Sequence, residues 1–590
     1  MKDFLKNVLA TIVGLIVFML IFVFIAGVGI GGMLASSETS ATIEKNSVLV
    51  LKLKGSIVEQ TTDNSIPILS DVDMESIGMD NILSAIKRAK TNDNIKGIYI
   101  ENDGVEADMS QFQEIRDALA DFKQSKKWVI AYGESFGPGS YYLSSVADKI
   151  YMNPQGDIEW KGLTEVKIYV KDLLAKVGVK FIPLKVGKYK SAIDFFTGDG
   201  MSEPDRQQTT AYTQGTWNTI VSAVSQSRKI SPAQLNAYAD NLSMLQGGQF
   251  FLKARMVDGL LYADQIKAEV QKRLGLDADD DINQVSIADM CSVPDTEKDN
   301  DEIAIYYASG DIVNAQDPRS MFSNNVQIAA ETVCKDLEAL ADDDDVKAVV
   351  LRINSGGGDA FASEKIWRSM QLLRQKKPVV VSMSGLAASG AYYLSCGANW
   401  IVAEPLTLTG SIGIFGQIPD PSGLLTNKLN IKYDVVNTNK HSDFGQPFRP
   451  VSADEYAQLQ AYIQQGYNLF VKRVADGRKM TTEHVNELAQ GHVYLGKDAL
   501  PLKLVDELGG LDKALAKAAA LAKVKSYYTT SYPSETDFFT QLMEENTGGT
   551  FLDRAMQETL GDFYQPFVML STSRNMGKVQ ARLPYFTVYK

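Results

Sequence analysis

The chain has 590 residues, enough for two to four domains. Its 45% hydrophobic and 22% charged residues are a globular composition, and a net charge of −13 excludes nucleic acid as the main partner. Cys291, Cys334 and Cys396 have neither paired nor metal-type spacing, so no disulfide framework, structural zinc, other metal or cofactor is expected.

Val8 to Ala35 is a run of 28 residues with one polar side chain, Thr11. That length crosses a hydrocarbon core of about 30 Å and exceeds the apolar region of an ordinary signal peptide. Lys2 and Lys6 precede the run, and the next basic residue is Lys45. The positive-inside rule then predicts a single-pass anchor in the cytoplasmic membrane, with a cytoplasmic N-terminus. Everything after about residue 40 is expected on the extracytoplasmic side. A signal peptide cleaved near Ala35-Ser-Ser is the alternative.

Next comes an internal repeat. Lys96-Gly-Ile-Tyr-Ile100 matches Lys347-Ala-Val-Val-Leu351, and Lys127-Trp-Val-Ile-Ala131 matches Pro378-Val-Val-Val-Ser382. Tyr141-Tyr-Leu-Ser144 matches Tyr392-Tyr-Leu-Ser395, and Asn153-Pro154 matches Glu404-Pro405. Each pair is 251 positions apart. So long a period means two copies of a whole domain rather than a solenoid. In the second copy, strands are predicted at Ala348–Ile353, Pro378–Val381 and Trp400–Ala403. Helices are predicted at Ala360–Leu373 and Ala391–Cys396, with a small-residue turn from Gly385 to Gly390 between strand and helix. Such alternation indicates an α/β fold with parallel strands. The expected organisation is an anchor (1–40), a first repeat (45–295), a second repeat (300–525) and an aromatic-rich tail of unknown role (526–590).

Ser389 falls where a strand becomes a helix. Unpaired N–H groups at a helix start are ready-made oxyanion donors, so a serine there reads either as a nucleophile or as an ordinary N-cap. The twin position holds Pro138, which carries no nucleophile. Asn354-Ser-Gly-Gly-Gly358 follows a strand, and its glycines let backbone N–H groups approach a ligand. Gly357 and Gly358, with Gly390 from the other loop, form a candidate oxyanion hole; a flexible turn is the plain alternative. A serine nucleophile needs a base. Lys190, in Gly187-Lys-Tyr-Lys-Ser191, lies in register with His441. As a base, lysine must be neutral; lowering its pKa from about 10.4 to about 7.5 costs roughly 4 kcal/mol. A surface lysine is the competing reading of Lys190. His441, His484 and His492 are the only histidines, and a base at His441 remains open.

These residues resemble the signal peptide peptidase A family in its long, duplicated form. The resemblance is carried by Arg352-Ile-Asn-Ser-Gly-Gly-Gly358, Gly385-Leu-Ala-Ala-Ser-Gly-Ala-Tyr-Tyr393 and Thr409-Gly-Ser-Ile-Gly413. Gly187-Lys-Tyr-Lys-Ser-Ala192, Gly491-His-Val-Tyr-Leu-Gly496 and Leu504-Val-Asp-Glu-Leu-Gly-Gly510 complete it. The resemblance implies two tandem crotonase/ClpP-like domains and a Ser/Lys dyad protease. Ser389 would be the nucleophile, Lys190 the general base, Ser411 the residue holding the lysine, and Gly357 and Gly390 the oxyanion donors. It further implies a homotetramer at the membrane whose substrates are signal-peptide remnants. Two departures stand out. Gly356 occupies a place where proline is usual, and Asp194-Phe195 stands for a usual Glu-Pro. A crotonase-like acyl-CoA enzyme and a catalytically silent membrane scaffold are the rival expectations.

Overall fold

The computed structural model describes residues 42–61, 76–293, 301–316, 326–533 and 580–582. The expected anchor at 8–35 lies outside them. Among the described residues no helix is long and apolar enough to cross a membrane.

The first half is built on a parallel sheet. In chain order its strands are β1 (Ser47–Val58), β2 (Ser76–Gly78), β3 (Ile95–Glu106), β4 (Trp128–Gly133) and β5 (Lys149–Met152). Next comes β6 (Lys180–Lys185), which leaves the sheet, then β7 (Gly259–Leu260) and β8 (Gln284–Val285). Spatially they run β2-β1-β3-β4-β5-β7, with β8 beside β1. The second half repeats the plan with β9 (Glu302–Ser309), β10 (Asp311–Val313), β11 (Gln327–Ala329), β12 (Val346–Ser355), β13 (Gly357–Asp359), β14 (Val379–Ala388) and β15 (Trp400–Ala403). It continues with β16 (Leu408–Gly410), β17 (Phe415–Asp420), β18 (Val493–Leu495), β19 (Glu507–Leu508), β20 (Tyr528–Tyr532) and β21 (Gln580–Arg582). Its main sheet runs β18-β16-β14-β12-β9-β20, with β15 beside β14 and β19 beside β15.

Both sheets are covered on two faces, which is why their strands read as nearly unbroken apolar runs. Alternate residues of β12 enter different cores. Val349, Leu351 and Ile353 pack against the helices Ala330–Asp342 and Ala360–Lys376, while Ala348 and Val350 pack against Leu511–Ala522. β1 divides in the same way, with Leu49, Leu51 and Leu53 on one side and Val48 on the other.

β14 does not stop at Val381. It runs on to Ala388, because Leu386, Ala387 and Ala388 pair with Leu408, Thr409 and Gly410 of β16. The expected turn therefore shrinks to Ser389 itself. The tail is not wholly outside the fold either: β20 pairs with β9, and β21 joins a third sheet.

That third sheet joins the halves. Its order is β11-β10-β13-β21-β17-β6, so a strand of the first half, β6, lies antiparallel to β17 of the second. A buried ionic latch sits nearby. Arg352, on β12, is 1% exposed. Its Nε donates to Glu59 at 2.7 Å and its Nη2 to Glu114 at 2.6 Å, both first-half residues. Ser382 and Ser384 accept its remaining bonds. Removing one partner of such a buried set strands the others without compensation. Arg352→Met is therefore expected to lower the unfolding free energy by about 3–5 kcal/mol. Chemical denaturation at neutral pH measures this, and a loss below about 1 kcal/mol would show the latch to be dispensable.

Candidate active site

Ser389 is the residue between β14 and the helix Gly390–Ser395, with φ 56° and ψ −114°. Positive φ in a non-glycine residue is strained and is maintained only where the surroundings impose it. Here its N–H donates to Gly410 O at 2.8 Å, tying it to the Thr409-Gly-Ser-Ile-Gly segment. Its hydroxyl makes no N-cap bond to the helix. The ordinary capping reading therefore fails, and the side chain is free for another partner.

That partner is Lys190, whose Nζ lies 2.7 Å from Ser389 Oγ. The same nitrogen is 2.9 Å from Ser411 Oγ and 3.1 Å from Ser411 O. All three residues are buried, with Lys190 1% exposed. Lys190 is thus not the surface lysine of the competing reading. Burial alone drives its pKa well below the ordinary lysine value. The contacts suit a neutral amine: two N–H groups point to Ser411 and the lone pair accepts from the Ser389 hydroxyl.

Close backbone crossings deliver the lysine. Tyr189 N–H donates to Gln490 O at 2.9 Å, and Gly491 N–H to Ile412 O at 2.8 Å. The lysine loop passes so near the 490–492 loop that a Cβ on Gly187 would stand 2.4 Å from Gln490 O. A Cβ on Gly491, whose φ is +81°, would stand 2.6 Å from Lys190 N. The glycines of two separate motifs are therefore parts of one crossing. Ser411 N–H donates to His492 O at 2.7 Å, which fixes the remaining side. His492 lies between the rings of Tyr189 and Tyr494, and burial pushes its pKa down to about 4.

The three candidate oxyanion glycines are not equivalent. Gly390 is the first residue of its helix, where N–H groups lack intrahelical partners. Gly357 has φ +102°, and its N–H donates to Ser355 Oγ at 3.1 Å. Gly358 pairs with Ile312 of β10, and a Cβ there would stand 2.2 Å from Ile312 O, so close strand packing requires its glycine. On the open side of β13 lies β21, antiparallel, with Gly357 opposite Arg582 and Gly358 opposite Ala581. β21 also meets Phe415 of β17. The site is thus flanked by a slot that holds one extended strand between two others.

The peptidase family S49 profile matches residues 121–277 and 371–525, one stretch in each half. The chain belongs to peptidase family S49. It is 34% identical over 559 residues to Protease 4 of Salmonella typhi, covering 92% of this chain and 89% of the relative. It is 29% identical over 491 residues to the chloroplastic serine protease SPPA of Arabidopsis thaliana, covering 82% of this chain and 70% of that protein. The Clp protease profile matches residues 316–402. A structure of a point mutant of ClpP1 from Listeria monocytogenes aligns with 36% of this chain and 94% of its own at 16% identity, with a TM-score of 0.23. This S49 peptidase is accordingly a serine peptidase with tandem ClpP-like α/β halves, in the long duplicated form of signal peptide peptidase A. The acyl-CoA and silent-scaffold expectations fall with that finding.

His441 is not beside the serine. It is exposed, with Nδ1 3.0 Å from Glu455 and Nε2 3.3 Å from Asp454. The 251-residue register also slips here: helix Glu203–Arg228 recurs as Ala453–Arg478, offset by 250. The position of Lys190 is therefore shared between Lys440 and His441. One supporting residue was not visible in the sequence of this S49 peptidase. Gln208 donates to Tyr189 O at 2.9 Å and accepts from Val493 N–H at 3.1 Å, bridging the lysine loop to β18. Nothing in its polar helix sequence marks it. Gly491 lay inside a recognised motif, but only the crossing shows its task.

Two outcomes follow for this S49 peptidase. Gly491→Ala places a methyl group against Lys190, and a displacement of about 1 Å can cost about 100-fold in rate. We expect at least that loss in peptide hydrolysis, with an unchanged circular dichroism spectrum. Lys190 also makes stability depend on pH. Its folded pKa is depressed, so between that value and the unfolded value of about 10.4 the unfolded state holds more protons. Stability must then rise with pH across that window. Melting wild type and Lys190→Met side by side from pH 7 to pH 10 should show the wild type gaining on the variant, and parallel curves would contradict a neutral lysine.

Proposed function

We propose that this serine peptidase is a membrane-anchored endopeptidase that uses a Ser389/Lys190 dyad to degrade signal-peptide remnants at the outer face of the cytoplasmic membrane. The observation that carries the reading is the 2.7 Å contact between Lys190 Nζ and Ser389 Oγ in a buried site. Neutral Lys190 takes the Ser389 proton as the oxygen attacks a peptide carbonyl. The N–H groups of Gly390 and Gly357 stabilise the resulting oxyanion, with Gly357 turning away from Ser355 to do so. Lys190 then protonates the leaving amine, and water attacks the acyl-enzyme with Lys190 again as base. Ser411 holds the amine through its hydroxyl and carbonyl.

The slot between β13 and β17 supports an extended peptide as substrate, since an added strand gains main-chain hydrogen bonds on both sides. A signal peptide offers such a chain once it leaves its helical state in the bilayer. The apolar 8–35 run would keep the enzyme where those remnants are released. We place the assembled enzyme as a homotetramer.

The test uses the detergent-solubilised full chain and a synthetic signal peptide. Ser389→Ala and Lys190→Ala should each lower kcat by about 100-fold or more while leaving the fold intact. Full activity in either would remove the dyad. Equal rates on signal peptides and on polar peptides of the same length would remove the substrate class.

A further inference from the structure

One buried carboxylate holds the Lys190 loop on both sides of the lysine. Asp205, in the first turn of the helix Glu203–Arg228, is 1% exposed. Its Oδ1 accepts from the hydroxyl of Ser191, the residue after the lysine, at 2.7 Å. It also accepts from Gln208 Nε2 at 3.0 Å, and the same amide donates to the carbonyl of Tyr189, the residue before the lysine. The N–H groups of a helix start favour an anion at this place. Yet the anion stands beside the loop of an amine that must stay neutral, and nearby negative charge favours the ammonium form.

Lys167 meets that conflict. Its Nζ lies 2.8 and 2.9 Å from the two Asp205 oxygens and 2.9 Å from Thr209 Oγ1, with its side chain 11% exposed. The second half repeats the arrangement. At an offset of 250, Ser191 and Asp205 fall on His441 and Glu455, and both pairs are in contact across 14 positions. Glu455 has its own cation, Arg449, whose Nη1 and Nη2 lie 2.9 and 2.8 Å from its oxygens. Arg449 follows its loop in the chain, whereas Lys167 precedes its own. Both halves thus tie loop to helix through an acid and cancel that acid's charge, and they draw the cation from different segments. Only in the first half does the cancelled acid stand behind a buried amine.

We propose that Asp205 and Lys167 are a positioning pair for the base. Asp205 fixes the loop on both sides of Lys190, and Lys167 cancels its charge so that the loop is held without drawing a proton onto the amine. Other charged and titratable groups surround the pair. Glu165 faces it, and burial lifts that carboxyl to about 7. Tyr169, Asp194 and Arg206 lie around Asp205, while Lys188 and His492 flank Tyr189 of the lysine loop.

The experiment follows kcat/KM for a synthetic signal peptide against pH, using the detergent-solubilised full chain. All proteins carry Glu165→Gln, so that this carboxyl does not titrate alongside the base. Lys167→Met leaves Asp205 uncancelled, and an interior charge at about 10 Å moves a titration by about one unit. The acid limb should therefore shift up by about one pH unit, a tenfold loss on that limb. Asp205→Asn keeps an acceptor for Ser191 but leaves Lys167 uncancelled, and the limb should shift down. The two substitutions together should bring it back, and Lys167→Arg, which keeps the charge, should leave it in place. Ser191→Ala should lower kcat on the plateau at least tenfold with KM and limb unchanged. A limb that stays put in a folded single variant would overturn the electrostatic role, and full kcat in Ser191→Ala would overturn the positioning role. Should one single variant fail to fold, the other still has its own predicted direction. The inference rests on Lys190 as the base. Activity retained in Lys190→Ala would remove that reading, whereas an unmoved limb beside an inactive Lys190→Ala removes only the role of the pair.

Discussion

An amine enclosed with two serines, and shifted by burial with no charge compensating it, is the constraint on which the site depends. A charged lysine in such a place would lose its hydration and receive little in return. Burial therefore favours the neutral amine, the form that the proposed base requires. That solution works only while water and carboxylates stay out. It also demands close positioning, because a neutral amine has one lone pair and it must face one hydroxyl. The β6–β17 pairing, the glycine crossing and the Gln208 bridge all hold the Lys190 loop against the second half.

The ionic latch meets the same demand from the other direction. Arg352 lies on the strand that leads into Ser355–Gly358, and the groups it engages come from both halves. Asn354, two residues on, donates to Asp108 at 3.0 Å and accepts from Leu386 N–H at 2.9 Å. Leu386 lies three residues before Ser389. The glycine loop, the strand that leads to Ser389 and the first half thus share one buried network. Networks of this kind add little net stability over apolar packing, but each member fixes the orientation of the next. Their contribution here is the alignment of β12 with β14, on which the geometry between Gly357 and Ser389 depends.

Much of this was legible in the sequence because duplication supplied an internal comparison. A constant offset exposed the α/β plan, and a serine kept in one copy beside a lysine kept in the other singled out Ser389 and Lys190. What stayed hidden was non-local. Glu59 and Glu114 are far from Arg352 along the chain, and no local pattern pairs them. β6 reads as a modest apolar run, and only the fold shows that its ladder partner belongs to the other half. Gly385–Ala388 reads as a turn by composition, yet β16 draws it into the sheet. Local propensity yields where tertiary pairing supplies the hydrogen bonds.

The two halves also separate what the fold requires from what chemistry requires. Whether Gly137 or Pro138 is matched with Ser389, the first half has no nucleophile there. The residue before its helix, Gly137, has a relaxed φ of −74°. Ser389, before the equivalent helix, is held at φ 56°. Such strain costs on the order of 1–3 kcal/mol. Strand, turn and helix form without it in the first half, so the backbone plan does not impose it. It appears only where a hydroxyl must face a lysine from the other half. The cost at Ser389 is therefore tied to that encounter, and a duplicate relieved of the encounter is free to relax.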